Sequence, residues 1–243
     1  MDFRNKKVLV TGGAIRIGRE ICKGFARAGA TVVIHCNTHI EEGKLLLEEL
    51  GSPGKGHALF SMDLSNAAEL EKEENIRLLE EKFSGVDILV NNASCYIRTP
   101  IQQEKLPEME RQLNINFLSP VLLMKLFAEK AVQGSVIVNM LDQGIAKTDR
   151  NTFSYALSKK ALAEATKSAA LSYAPCIRVN AVAPGPMIPP PDLPLSKMEK
   201  SIQSIPLQKA IAVEDVVSAC LFAAGNSSMT GAILYVDGGL SLT

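Results

Sequence analysis

Two side chains in the stretch MLDQGIAKTDRNTFSYALSK, residues 140–159, have the types and spacing of a proton-donor pair. Tyr155 and Lys159 stand four residues apart, so on a helix they share a face. A phenol titrates near pH 10 and is a sluggish acid at neutral pH, and an ammonium beside it would favour the phenolate. Such a tyrosine usually works with a second hydroxyl, but the polar residue upstream is Asp142. A carboxylate would repel the alkoxide that develops when a ketone is reduced. Reduction of an imine-like C=N bond asks instead for proton delivery, and Asp142 hydrogen-bonded to Tyr155 could serve it. The plainer reading of Asp142 is a strand-end or turn residue.

These groups need a frame. Apolar runs at Lys7–Val10, Thr31–His35, His57–Ser61, Asp87–Asn91, Ser135–Met140, Ile177–Val182 and Ile233–Val236 read as buried parallel strands. Helical patterns lie between them: Ile17, Ile21 and Phe25 at spacings of four, then Leu113–Val132, then the alanine-rich Tyr155–Ala174. Alternation of this kind predicts an α/β fold, a parallel sheet with helices on both faces. Pro184–Pro206 carries seven prolines and is expected to be a loop over a site.

The first strand runs into TGGAIRIG, where Gly12, Gly13 and Gly18 bracket a turn opening a helix. Such a turn brings backbone N–H groups and a helix N-terminus to a pyrophosphate. Arg16 inside it is poorly placed for a lone cation and well placed beside an anion. The end of the second strand reads His35-Cys36-Asn37-Thr38-His39, with no acid before Glu41. A ribose-gripping carboxylate is therefore absent, and Arg16, His35, Asn37 and Thr38 could bind a 2′-phosphate, which favours NADP(H). Asp63 and the stretch Val90–Ser94 lie at further strand ends, where such sheets bind ligands. Asp63 or Ser65 could equally cap the next helix.

Lys plus Arg and Asp plus Glu each number 26, so net charge argues for neither nucleic acid nor an anionic membrane. No apolar run has the length of a membrane span, and the N-terminus enters a strand without a signal pattern. Five scattered cysteines with no C-x-x-C fit free thiols in a reducing cytoplasm. The three histidines lack metal-ligand spacing, so no metal is expected.

TGGAIRIG, NNAS, Asn116 in LNINFLSP, Tyr155-x-x-x-Lys159, APG at 183–185 and the closing VDGG occur in the order and spacing of the short-chain dehydrogenase/reductases. The chain resembles that family over essentially its whole length. The resemblance implies one Rossmann-like, doubly wound domain over 1–243 with about seven strands, a substrate loop near 184–206, a nicotinamide cofactor and a homotetramer. It implies Tyr155 as proton donor, Lys159 on the nicotinamide ribose and lowering the tyrosine's pKa, and Asn116 ordering a relay water. It further implies cofactor contacts from Gly12, Ile17, Gly18, Asp63, Leu64, Asn92, Ala93, Pro184 and Gly185.

Two departures, Arg16 for glycine and Asp142 for serine, resemble the pteridine reductase branch. So do Asn139-Met140-Leu141-Asp142, Ser94 and Tyr96. There Arg16 and Ser94 would touch both cofactor and pterin, Tyr96 would stack on the pterin, and Pro186 and Met187 would line the substrate side. The branch implies NADPH-dependent reduction of dihydropteridine or dihydrofolate-type substrates. A carbonyl reductase, such as one for 3-oxoacyl thioesters, and a non-catalytic NADP-binding protein are the alternatives.

Overall fold

The computed structural model describes residues 1–51, 54–187 and 202–243. All seven apolar runs are strands: β1 Lys7–Val10, β2 Thr31–Cys36, β3 Ala58–Ser61, β4 Ile88–Asn91, β5 Ser135–Met140, β6 Ile177–Pro184 and β7 Ile233–Val236. They pair in parallel in one sheet, ordered β3-β2-β1-β4-β5-β6-β7. β3 and β4 each start one residue later than the apolar pattern suggests, while β2 and β6 run further.

Strands that bury both faces explain the runs. Along β1, Val8 and Val10 join one core and Leu9 joins the other. The first core packs under α1 (Arg16–Arg27), α2 (Ile40–Glu49) and α7 (Val213–Gly225), through Ile21, Phe25, Leu46, Val216 and Cys220. The second packs under α3 (Glu73–Phe83), α5 (Ser119–Lys130) and α6 (Phe153–Ser172), through Phe83, Leu123, Phe127 and Leu162.

One helix differs from expectation. The pattern placed at Leu113–Val132 begins earlier, as α4 (Leu106–Leu113), and ends at Lys130. A π-helical turn at Asn114–Leu118 joins α4 to α5. Such widened turns recur at functional sites, and this one carries Asn116.

β1 has β2 on one side and β4 on the other, so the chain reverses direction across the sheet there. The crevice at the carboxyl ends of these strands is where open α/β sheets bind ligands. The Pro184–Pro206 stretch follows β6; residues 188–201 of the expected loop lie outside the described residues.

Candidate active site

The glycine turn is held by its neighbours. Gly12 sits at φ +62°, and a Cβ there would lie 3.0 Å from Ala93 Cα. A Cβ on Gly18 would lie 2.1 Å from the Gly12 carbonyl oxygen, so only glycine lets α1 come this close to the turn. Thr11 Oγ1 accepts from the backbone N–H groups of Asn92 (2.9 Å) and Ala93 (3.0 Å). The Asn92 amide donates back to the carbonyls of Thr11 (2.9 Å) and Gly12 (3.1 Å). VNNAS is thus a fastening between β4 and the turn.

His35 departs from the sequence reading. It is 3% exposed, and both ring nitrogens are used by the protein. Nδ1 accepts from Gly12 N–H at 3.2 Å, which puts the proton on Nε2, and Nε2 donates to the Met62 carbonyl at 3.0 Å. Burial lowers its pKa from 6.5 to about 4. His35 is a neutral strut under the turn, with both ring nitrogens engaged by the protein. Unfolded histidine binds a proton near pH 6.5 and folded His35 only near 4, so between those values the unfolded chain binds more protons. Stability is therefore expected to drop as pH falls through this window, with about 3 kcal/mol from His35 alone. Urea unfolding at pH 7 and pH 4.5 should show a smaller pH difference for His35→Gln than for the parent; equal differences would contradict it.

A cleft of about 370 Å³ opens along the turn. Gly12, Arg16, Ile17, Gly18, His35, Asn37, Thr38, Asp63, Leu64, Asn92, Ala93 and Ser94, all named from the sequence, line it. Asp63 does not cap a helix; its carboxyl accepts from Ser65 N–H at 2.8 Å, and Asn66 caps the following 3-10 turn. Cys36, His39, Cys95, Arg111 and Ile115 line the cleft too and were missed. Arg111 and Ile115 are four apart just before Asn116, a helical spacing that could have placed them.

Arg16 is the first residue of α1 and has φ +51°, a left-handed conformation that costs a non-glycine residue roughly 1 kcal/mol. An arginine kept here at that cost points to a role in the cleft. Arg16→Gly is expected to raise stability by up to about 1 kcal/mol in denaturant unfolding. The same variant is expected to weaken NADPH binding about tenfold while NADH changes little, read by fluorescence titration. Parallel loss of both cofactors would refute that assignment.

The second cluster gathers around Tyr155. Its hydroxyl donates to Asp142 Oδ2 at 3.1 Å. Asp142 Oδ1 accepts from Gly144 N–H at 2.7 Å, so Asp142 both caps a turn and faces the phenol. The Tyr96 ring, 54% exposed, meets Tyr155 edge to face at 4.8 Å. Ser94 donates to Asn116 Oδ1 at 2.9 Å. Asn116 is fully buried and also holds the backbone N–H (2.9 Å) and carbonyl (2.8 Å) of Cys95.

Lys159 is anchored by a backbone carbonyl. Its Nζ donates to the Met140 carbonyl at 2.9 Å and lies 6.0 Å from the Tyr155 ring centre. Burial lowers its own pKa to about 8, against the pull of Asp142. The phenol of Tyr155 is pushed well above 10, first by burial and then by the charge and hydrogen bond of Asp142; Ser94 pulls the other way. In this arrangement the Tyr155 phenol is protonated at neutral pH. Lys159 ties α6 to the end of β5.

On the far side, Pro184 ends β6 opposite Val236, and a Cβ on Gly185 would lie 2.8 Å from Asp237 Cα. Pro186 is exposed, whereas Met187 is partly buried against the first core.

Residues 13–241 match a family model described as enoyl-(acyl carrier protein) reductase. This chain is a short-chain dehydrogenase/reductase. The reductase is 32% identical to the FolM alternative dihydrofolate reductase 1 of Brucella canis, solved in complex with NADP. The TM-score is 0.90, over 99% of this chain and 96% of that one. It is 29% identical to pteridine reductase 1 of Leishmania tarentolae, over 97% of this chain and 96% of the relative. It is also 33% identical to glucose 1-dehydrogenase of Gluconobacter oxydans, over 99% of this chain and 93% of the relative.

Proposed function

We propose that this protein is an NADPH-dependent reductase of dihydropteridine or dihydrofolate-type substrates. The observation that carries the reading is the Tyr155 phenol donating to the Asp142 carboxyl beside the half-exposed Tyr96 ring. Arg16, Asn37 and Thr38, with no acid at the end of β2, suit a cofactor bearing a 2′-phosphate. NADPH, when bound, supplies the hydride. Tyr155 delivers the proton to the ring nitrogen; Asp142 orients the phenol, and burial together with Asp142 keeps it protonated. A flat heterocycle would stack against Tyr96 and meet Ser94 and Arg16 at its edge. Asn116 holds the Ser94–Cys95 loop, and a relay water beside it belongs to the same proposal.

The assay is NADPH oxidation with dihydrofolate or dihydrobiopterin against acetoacetyl thioester. Turnover of the pteridines is expected. Turnover of the thioester alone would make this a carbonyl reductase, and cofactor binding without turnover of either would make it a non-catalytic binding protein.

The proposal extends to one domain over 1–243, a substrate loop near 184–206 and a cytoplasmic homotetramer. Apolar side chains exposed on adjacent helices, Leu106 on α4 and Leu157 and Leu171 on α6, support assembly. Among the described residues no helix is long and apolar enough to cross a membrane.

A further inference from the structure

α6 carries both Tyr155 and Lys159, yet it lacks its own N-terminal cap. Its N-cap residue, Thr152, makes no side-chain capping bond; the Thr152 hydroxyl donates to Asp149 instead, at 2.9 Å. The first turn of α6 contains no acidic residue. The open N–H groups are met by a segment from elsewhere in the chain. Phe153 N–H donates to the Thr99 carbonyl at 3.0 Å. Ser154 N–H donates to Glu104 Oε1 at 3.1 Å, across 50 residues of sequence. Glu104 Oε2 and Ser154 Oγ are both buried, so this carboxyl is embedded in the fold and not loose in solvent.

We infer that Glu104 is a positioning residue for proton transfer, because its bond to Ser154 N–H fixes the turn of α6 that aims Tyr155 at Asp142. An acceptor at this end of a helix satisfies an orphan donor, and an acid there also meets the positive end of the dipole. Tyr155 is the residue directly after Ser154. Its hydroxyl must stay within hydrogen-bond reach of Asp142 and in edge contact with Tyr96. A loosened first turn moves that hydroxyl, and displacements of about 1 Å in a reacting group are costly to rate. Glu104 does not line the cofactor cleft, so its effect should fall on turnover and not on cofactor binding.

This inference rests on Tyr155 as the proton donor, and Tyr155→Phe is the control for that reading. Glu104→Ala and Glu104→Gln are compared with the parent at a temperature well below melting, on the substrate the parent turns over. E104A is expected to lower kcat about tenfold with the Kd for NADPH within about twofold. E104Q, whose amide oxygen still accepts from Ser154 N–H, is expected to keep at least about half of kcat. A cap serving stability alone would lower the melting temperature of E104A and leave kcat unchanged, which overturns the inference. Equal losses in E104A and E104Q, or NADPH affinity falling along with kcat, would overturn it too. If E104A does not fold, Glu104→Asp, shorter by one methylene, replaces it against E104Q with the same expectations. Turnover that survives Tyr155→Phe would mark failure of the proton-donor reading separately.

Discussion

Tyr155→Phe is expected to lower kcat for dihydropteridine reduction by about 10²–10⁴-fold, with NADPH affinity changed by no more than about twofold. The size follows from what the substitution leaves in place. Asp142 keeps its bond to Gly144 N–H, Lys159 keeps the Met140 carbonyl, and the ring keeps its edge contact with Tyr96. Only the proton and its oxygen are removed. Steady-state NADPH oxidation and fluorescence titration together test this, and activity above a tenth of the parent would remove Tyr155 from the chemistry. The pH profile carries a second expectation. Because the phenol is pushed well above 10, the parent should show no alkaline loss from Tyr155 below pH 10.

Asp142→Ser is expected to cut pteridine turnover by about 10- to 100-fold and to leave thioester or ketone reduction equal or improved. The carboxyl holds the phenol at 3.1 Å and contributes, after burial, to the high pKa of Tyr155. A serine hydroxyl can hold a carbonyl oxygen as charge develops on it, whereas a carboxylate repels that charge. Removing the carboxylate should also draw the alkaline limb to lower pH, since the folded phenol loses a neighbour that disfavours its ionisation. Better ketone reduction with unchanged pteridine turnover would end the assignment of Asp142 to C=N chemistry.

The architecture was readable because strands buried on two faces must be apolar throughout, as Val8, Leu9 and Val10 show by dividing between the two cores. The start of α4 was not readable for an equally physical reason. The π turn at Asn114–Leu118 inserts extra backbone into the helix, so the apolar stripes of α4 and α5 fall out of the common 3.6-residue phase. The glycine turn announced itself through residue type, since Gly18 sits where any Cβ would strike the Gly12 carbonyl.

The sequence by itself determined the seven-stranded parallel sheet, the glycine turn after β1, and the spacing that puts Tyr155 and Lys159 on one helical face. These follow from local rules: burial period, backbone freedom and helical repeat. Tertiary structure alone decided which partners the polar side chains met. His35 reads as an anion ligand in one dimension, and only the fold shows its ring held between the Gly12 N–H and the Met62 carbonyl. Lys159 reads as the tyrosine's partner, and the fold gives its Nζ the Met140 carbonyl, while burial first and Asp142 second raise the phenol's pKa. Glu104 stands 50 residues from Ser154 and meets it only because the segment before α4 folds onto the open end of α6. Hydrogen bonds and charge effects act over a few ångströms, so separation in space decides them and distance along the chain does not.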